Sequence, residues 1–324
     1  MKILYADALY QQLRALFEIS EYQVFNSSSS ILNIQLHVFQ NRKSHWHQDR
    51  RFFFYLTGDL DQIGSHHAIA DLLTKAELTL PPSSTLMGPL QFSTYLDYRI
   101  CISDPGKSQP EQDQRYTGEP QTPATLLPLL INLGFKKNQL YKTYVLKKKE
   151  TKNRILKQFK GESFSAIKSQ FRLRIFDLDQ WKDNKAAFYK LTMELFSENP
   201  GFQPLSAQQF DMIVNENYFK AACYKTSLCL YKNSELIGYS LNFLEADDED
   251  SSKQNLLIKT AGVTKQFRQM GMTFLYLVSE IMQRSVECHQ IKFCLMKDGN
   301  FPSLLAKDFV DETIEYAMLE KAKI

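Results

Sequence analysis

Between Asn255 and Met282 the chain reads NLLIKTAGV, TKQFRQMGM and TFLYLVSEIM, an apolar strand, a turn carrying a glycine, and an amphipathic helix. A strand that feeds a turn and then a helix N-terminus gathers several N–H groups without intrahelical partners at one point. The aligned peptide dipoles make that point electropositive. With a glycine permitting close approach and an arginine nearby, such a point receives a pyrophosphate. Arg268 and Gly271 stand three residues apart at this junction. The spacing R-x-x-G recurs by chance, so its weight comes from the order of elements around it.

That order is legible. FRLRIFDLD alternates as a strand, and NKAAFYKLTMELF (Asn184 to Phe196) is an amphipathic helix ended by Asn-Pro-Gly-Phe. LSAQQFDMIVNENY is a second helix with Ser206 as its N-cap. SLCLYKNSELIGYSLNFL forms two strands about a tight turn at Lys232-Asn233-Ser234, and an acidic loop runs from Glu245 to Gln254. After the strand-turn-helix come the strand HQIKFCLMKD, the short helix NFPSLLAKDF and the final strand TIEYAMLEK. The sum is β-α-α-β-β-β-α-β-α-β, an α/β (α+β) fold with a mixed sheet.

The first half holds a comparable mixture. ILNIQLHVFQ and RFFFYLTGD are strands, HHAIADLLTKAELTL is a helix stopped by Pro81-Pro82, and Gly88-Pro89 turns the chain before LQFSTYL. TPATLLPLLINLGF is a helix closed by Gly134, followed by the strand LYKTYVLK. SSSS at Ser27 to Ser30 is a loop, and Ser103 to Pro123 is a long polar insertion. The basic run from Lys147 to Gln170 reads as a solvated linker or connecting helix, with a basic face for phosphates as its other reading. The expected division is a domain over 1–150, a linker over 151–170 and a second domain over 171–324.

Composition agrees with two ordinary cores, because 324 residues at 44% hydrophobic and 23% charged exclude a disordered chain. No apolar run reaches the roughly 18 residues of a membrane span, and Asp7 interrupts the only stretch resembling a signal peptide. A net charge of +3 is too mild for a nucleic-acid partner. The five cysteines, an odd number without C-x-x-C spacing, read as reduced core thiols in the cytoplasm. His45-Trp46-His47 lacks a carboxylate or thiol partner, so no metal is expected, and His66-His67 opens a helix.

The order of elements and the segment GVTKQFRQMGMTFLYL resemble the GNAT superfamily of acyl-CoA-dependent N-acyltransferases. That family carries a Q/R-x-x-G-x-G/A signature after its fourth strand, and Arg268, Gly271 and Thr273 occupy its three positions, with Thr in place of the last Gly or Ala. The resemblance implies a diphosphate held around Arg268, Gln269, Met270, Gly271, Met272 and Thr273. It implies a pantetheine arm along the backbone of Lys259, Thr260, Ala261, Gly262 and Val263, and a coenzyme A contact from Asn300. The family's tyrosine general acid has no counterpart in Leu304 to Phe309, which leaves Tyr316 in the last strand as its substitute. Glu245 and Asp247 are the candidate general bases at the mouth of the acidic loop, which could also attract a cationic amine.

A second resemblance covers most of the chain. GPLQFST, LLPLLINLGFKKNQLYKTYVLK and MELFSENPGFQPLSAQQFDMIV are similar to bacterial two-domain GNAT-like proteins, largely uncharacterised. The first half lacks the signature and reads as a degenerate GNAT-like domain in tandem with the second. The implied activity is transfer of an acyl group, acetyl first, from acyl-CoA to a small-molecule or peptide amine by direct attack in a ternary complex, in a monomer or homodimer. The alternative is a catalytically inactive acyl-CoA-binding or protein-interaction module, which the missing tyrosine and Thr273 favour. An aminoacyl transferase dependent on charged tRNA would need a basic, aromatic-interleaved patch that the sequence lacks.

Overall fold

Strand-forming runs from both halves of the chain enter one sheet. The computed structural model describes residues 13–27, 31–41, 50–94, 96, 98–102, 123–147, 149–158, 162–199, 201–247, 250–268, 271–300, 302–303 and 310–322. Among these, the first half contributes β1 (Ile19–Asn26), β2 (Ile34–Asn41), β3 (Arg51–Gly58), α1 (Ser65–Thr79), β4 (Thr85–Gly88), β5 (Ile100–Cys101), α2 (Leu126–Asn132) and β6 (Lys136–Leu146). The basic run then forms α3 (Lys149–Gln158) and α4 (Glu162–Gln170). The second half contributes β7 (Arg172–Ile175), α5 (Leu178–Phe196), α6 (Ala207–Ile213), α7 (Glu216–Lys220), β8 (Leu228–Lys232), β9 (Glu235–Ala246) and β10 (Gln254–Val263). It closes with α8 (Lys265–Arg268), α9 (Met272–Arg284), β11 (Ile291–Lys297) and β12 (Glu312–Ala322).

The sheet runs β1-β2-β3-β4-β12-β6-β11-β10-β9-β8-β7, with β5 beside β12. Two pairs are parallel, β3 with β4 and β10 with β11, and each is joined by a crossover helix, α1 or α9. The halves are therefore built alike and exchange their last strands. β6 of the first half lies beside β11 of the second, while β12 of the second lies beside β4 of the first. The arrangement is a tandem one, locked by reciprocal strand insertion.

Local chemistry explains most element ends. Asp177 caps α5 by accepting from the Gln180 N–H at 2.9 Å, so this helix starts six residues earlier than Asn184, the expected start. Asn184 instead marks a break, where φ −119° and ψ 18° leave the helical region. Ser206 caps α6 in a reciprocal box with Gln209. The single helix expected from there to Tyr218 is interrupted because Asn215 accepts from the N–H groups of Asn217 and Tyr218 and starts α7. Gly134 follows α2 with φ +89°, as its position required. β1, with Glu18 just before it and Glu21 within it at positive φ, carries no strand pattern clear enough to be read.

The run expected as a linker is packed. Phe164 and Ile167 of α4 are buried with Tyr276 and Leu277 of α9, and Lys168 pairs with Glu280 at 2.8 Å. Lys152 is buried and donates to the carbonyls of Cys288 and His289. Another core lies across the sheet, where Phe188 and Phe210 of the second half join Phe17, Phe39 and Met87 of the first. None of the five cysteines is in a disulfide, and no helix among the described residues is long and apolar enough to cross a membrane. The polar insertion, His45 to His47, most of the Ser27 to Ser30 loop, and Leu304 to Phe309 lie outside the described residues.

Candidate functional site

Parallel pairing between β10 and β11 holds for Leu256 with Ile291, Leu257 with Lys292 and Ile258 with Phe293, and then the strands part. Two irregularities open them. β10 shifts register against β9 at Lys259, and β11 shifts against β6 between Phe293 and Met296. Leu295 has φ +54°, a strained conformation for leucine, and its N–H is held by Thr143 Oγ1 of β6 at 3.1 Å. That bond draws β11 toward β6 and away from β10. Beyond Ile258, β10 keeps β9 on one edge, and its other edge faces a cleft of about 370 Å³.

The cleft passes through the sheet. Phe274 and Phe293 line it from the core beneath α9, whereas Tyr141 and Leu195 line it from the core beneath α5. At the β10 end the chain turns into α9, whose N-cap Gly271 has φ +55° and no side chain closing the first turn. The N–H groups of that turn have no intrahelical acceptors, so an anion is favoured there. Thr273 points into the interior, with its hydroxyl buried and without a hydrogen-bond partner. The side chain that replaces Gly or Ala therefore does not stand in front of the helix end.

Thr260, Ala261, Gly262, Val263, Arg268 and Asn300 all line the cleft. Met272 and Thr273 open α9 behind Gly271, and Gln269 and Met270 lie outside the described residues. Arg268 is engaged by the protein itself: Nε donates to the Val263 carbonyl at 2.8 Å and Nη2 to the Leu195 carbonyl at 3.3 Å. It ties the end of β10 to the last turn of α5. Asn300 accepts from the Ser303 N–H at 2.9 Å, which makes it a helix cap at the cleft wall.

Three expected catalytic residues do not meet the cleft. Glu245 pairs in register with Asn255, about 13 Å along β10 from Lys259 at roughly 3.3 Å per residue. Its carboxylate, mostly covered, pairs with the buried Lys292 Nζ at 3.0 Å. Asp247 is also buried and accepts from Asn255 Nδ2 at 3.0 Å and Gln290 Nε2 at 3.3 Å. Both belong to the far end of the strand, because β9 and β10 are antiparallel and the acidic loop joins the ends remote from the splay. Tyr316 is fully buried on β12, with β6 between it and β11.

The register partner of Tyr316 on β6 is Tyr141, and this tyrosine does line the cleft. Its other register partner is Lys297 on β11. Burial pushes the Tyr141 hydroxyl up to about 12, against the pull of the Arg99 guanidinium, which lies 4.3 Å from its ring centroid. Arg99 also sits 3.1 Å over Tyr98, another lining residue. Nothing local in LYKTYVLK marks Tyr141; only the insertion of β6 beside β11 brings it to the site. Of the carboxylates at the cleft, Glu198 is held below its usual range by a hydrogen bond from Lys265, and Asp298 pairs with Lys142 at 3.1 Å. Among the described residues no group of three or more His, Cys, Asp or Glu side chains could hold a metal ion.

The equivalent place in the first half is filled. After Phe53 pairs with Met87, the Leu90 N–H bonds to the Phe54 carbonyl at 2.8 Å and closes the edge of β3. The fully buried Phe92, at φ +61°, packs on Tyr55 and Phe39 at 5.3 and 5.4 Å. Aromatic rings thus occupy the region that in the second half is the cleft.

Neither a protein-family model nor a curated protein sequence matches the chain. Solved structures do. A probable N-acyltransferase from Enterococcus faecalis V583, described as a conserved protein of unknown function, aligns at TM-score 0.50 and 12% identity over 98% of this chain and 66% of that one. A GCN5-related N-acetyltransferase from Sphaerobacter thermophilus aligns at TM-score 0.47 and 11% identity, covering 90% and 76%. A tandem GNAT protein from the clavulanic acid biosynthesis pathway aligns at 0.46 and 11%, covering 90% and 83%. At such identity the likeness concerns architecture alone: the chain shares its fold with the Enterococcus faecalis structure.

Proposed function

We propose that the chain is an N-acyltransferase that uses acyl-CoA, acetyl-CoA first, and transfers the acyl group to an amine by direct attack in a ternary complex. The observation that carries this reading is the cleft itself, an open β10 edge that runs to the uncapped N-terminus of α9. Alternate backbone groups of residues 260–263 offer pairing to an extended amide-bearing arm, as an added strand would find. The N–H groups behind Gly271 and the local helix dipole receive a diphosphate. Arg268 contributes by fixing the turn that presents them. Asn300 borders the same cleft.

Bound acyl-CoA would supply an activated thioester. The residues of this chain would align it with the amine, polarise its carbonyl with strand N–H groups and exclude water between apolar walls. The five reduced thiols fit a cytoplasmic setting. Among the described residues lining the cleft none sits in an activating nucleophile motif, which is why direct attack is preferred to a covalent intermediate. Calorimetry with coenzyme A tests the site, and thiol release from acetyl-CoA in the presence of an amine panel tests the chemistry. Binding with thiol release is the expected result. Binding without turnover would select the non-catalytic module, and absence of binding would remove both.

A further inference from the structure

We propose that the acceptor is an amine that also carries a carboxylate, and that Lys297 on β11 receives that carboxylate. This rests on the acyltransferase reading above and names its substrate class. The cleft opens on both faces of the sheet. α9, with the N–H groups that suit a diphosphate, stands on one face. The amine is left with the other, where Tyr98, Tyr141, Leu195 and Phe196 join the core beneath α5.

Lys297 borders the cleft on that second face. Its register partner on the antiparallel β6 is Tyr141, and directly opposed side chains project to the same side of a sheet. Glu198, just past α5, agrees with this placement: its carboxylate is held low first by Lys265 and also by the Lys297 ammonium. Among the described residues no hydrogen bond or salt bridge engages Lys297. The other charges are committed. Glu198 binds Lys265 at 2.7 Å, Asp298 binds Lys142 at 3.1 Å, and Arg268 donates to two carbonyls. Lys259 stands on β10, the strand that the pantetheine arm takes on this reading. Lys297 is thus a half-buried cation that an incoming carboxylate would neutralise through a charge-assisted hydrogen bond. One ammonium matches the single charge of a carboxylate, whereas a diphosphate finds several N–H groups at α9. Tyr98 and Phe196 would cover the apolar body of the same acceptor. The acidic loop would select the opposite charge, but it joins the ends of β9 and β10 remote from the cleft.

The test uses the full chain, acetyl-CoA and matched amines that differ only in the carboxylate: L-phenylalanine with 2-phenylethylamine, and 6-aminohexanoate with pentylamine. Wild type should favour the carboxylate-bearing member of at least one pair in kcat/KM. Lys297→Gln should cut that preference roughly 10- to 100-fold, chiefly through KM, as expected for a lost charge-assisted hydrogen bond. Lys297→Arg, which keeps the charge, should retain part of it. Comparing the ratio between wild type and variant cancels the different basicities of the paired amines. Three results would overturn the proposal: a wild type that acetylates neither carboxylate-bearing amine or prefers the other member of both pairs, equal losses on both members in Lys297→Gln, or weakened coenzyme A binding by that variant in calorimetry. Equal losses would mark a structural role, and weakened binding would assign the ammonium to the coenzyme. Hydroxylamine, which has neither carboxylate nor apolar body, keeps the two readings apart. Its acetylation by wild type beside any of these results removes this proposal alone. A chain that binds coenzyme A yet releases thiol with no amine, hydroxylamine included, removes the acyltransferase reading with it.

Discussion

Leu195 lies directly on Gly262: a Cβ at that glycine would stand 2.8 Å from Leu195 Cδ1. Both line the cleft, so the missing side chain on β10 lets the last turn of α5 settle without narrowing the passage. Gly262→Ala should drive Leu195 into the opening. Overpacking of this kind costs about 1–3 kcal/mol, and coenzyme A affinity measured by calorimetry should fall roughly tenfold for each 1.4 kcal/mol. The double variant Gly262→Ala/Leu195→Ala should regain most of it, and a double variant no better than the single would refute the steric account.

Arg268 joins two elements through carbonyl oxygens, and hydrogen bonds from a charged donor contribute about 1.5–3 kcal/mol each at most. Arg268→Ala should lower the urea midpoint of unfolding and also weaken coenzyme A binding, because the turn before α9 loses its tether. Arg268→Lys has one ammonium in place of a two-sided fork, and should restore stability only in part. Wild-type stability in the alanine variant would show that the guanidinium serves the ligand alone.

Glu245 and Lys292 form an ion pair whose side chains are 12% and 4% exposed. Glu245→Leu leaves a buried ammonium without this carboxylate, at a cost of about 3–5 kcal/mol. Glu245→Leu/Lys292→Met should recover most of that loss and keep wild-type turnover per folded molecule. If Glu245 were the base, the double variant would be stable and inactive; thiol-release kinetics alongside denaturation decides between them.

His37 is stacked on Tyr55 at 4.3 Å, with Nδ1 at 2.7 Å from the Tyr22 hydroxyl and Nε2 at 3.1 Å from Thr57 Oγ1. Burial lowers it from 6.5 to about 4. The unfolded chain then binds a proton that the folded chain refuses, so stability is full above about pH 6.5 and falls as pH drops toward 4. The loss attributable to this residue is on the order of 3 kcal/mol at 1.36 kcal/mol per pH unit. His37→Gln should flatten that slope in thermal melts between pH 7 and 4. An unaltered slope would place the acid sensitivity elsewhere.

How much was legible depends on the range of the interaction. The strand-turn-helix from Asn255 to Met282, the cap at Ser206 and the glycine after α2 were readable because each rests on neighbours within a few residues. The break at Asn215 was missed because an apolar stripe continued across it while one carboxamide captured two backbone donors. Glu245 and Asp247 are suggested by their place at the start of the acidic loop, and Tyr316 by the lack of a tyrosine in Leu304 to Phe309, but neither argument says which end of a strand, or which neighbouring strand, a side chain joins. The degeneracy of the first half showed in the missing signature, but its cause, Phe92 filling the gap beyond β3 and β4, appeared only in three dimensions.

What the amino-acid order by itself determined is the local grammar: which runs extend, which coil, where the turns fall, and that one turn gathers unpaired N–H groups beside Arg268 and Gly271. What only the tertiary structure decided is the partnership of strands. The exchange of β6 and β12 between the halves is set by burial of apolar faces over separations of more than a hundred residues, which no local pattern encodes. That exchange puts Tyr141 in the cleft and Tyr316 out of it, and the Thr143 bond to Leu295 holds β11 where the cleft can open.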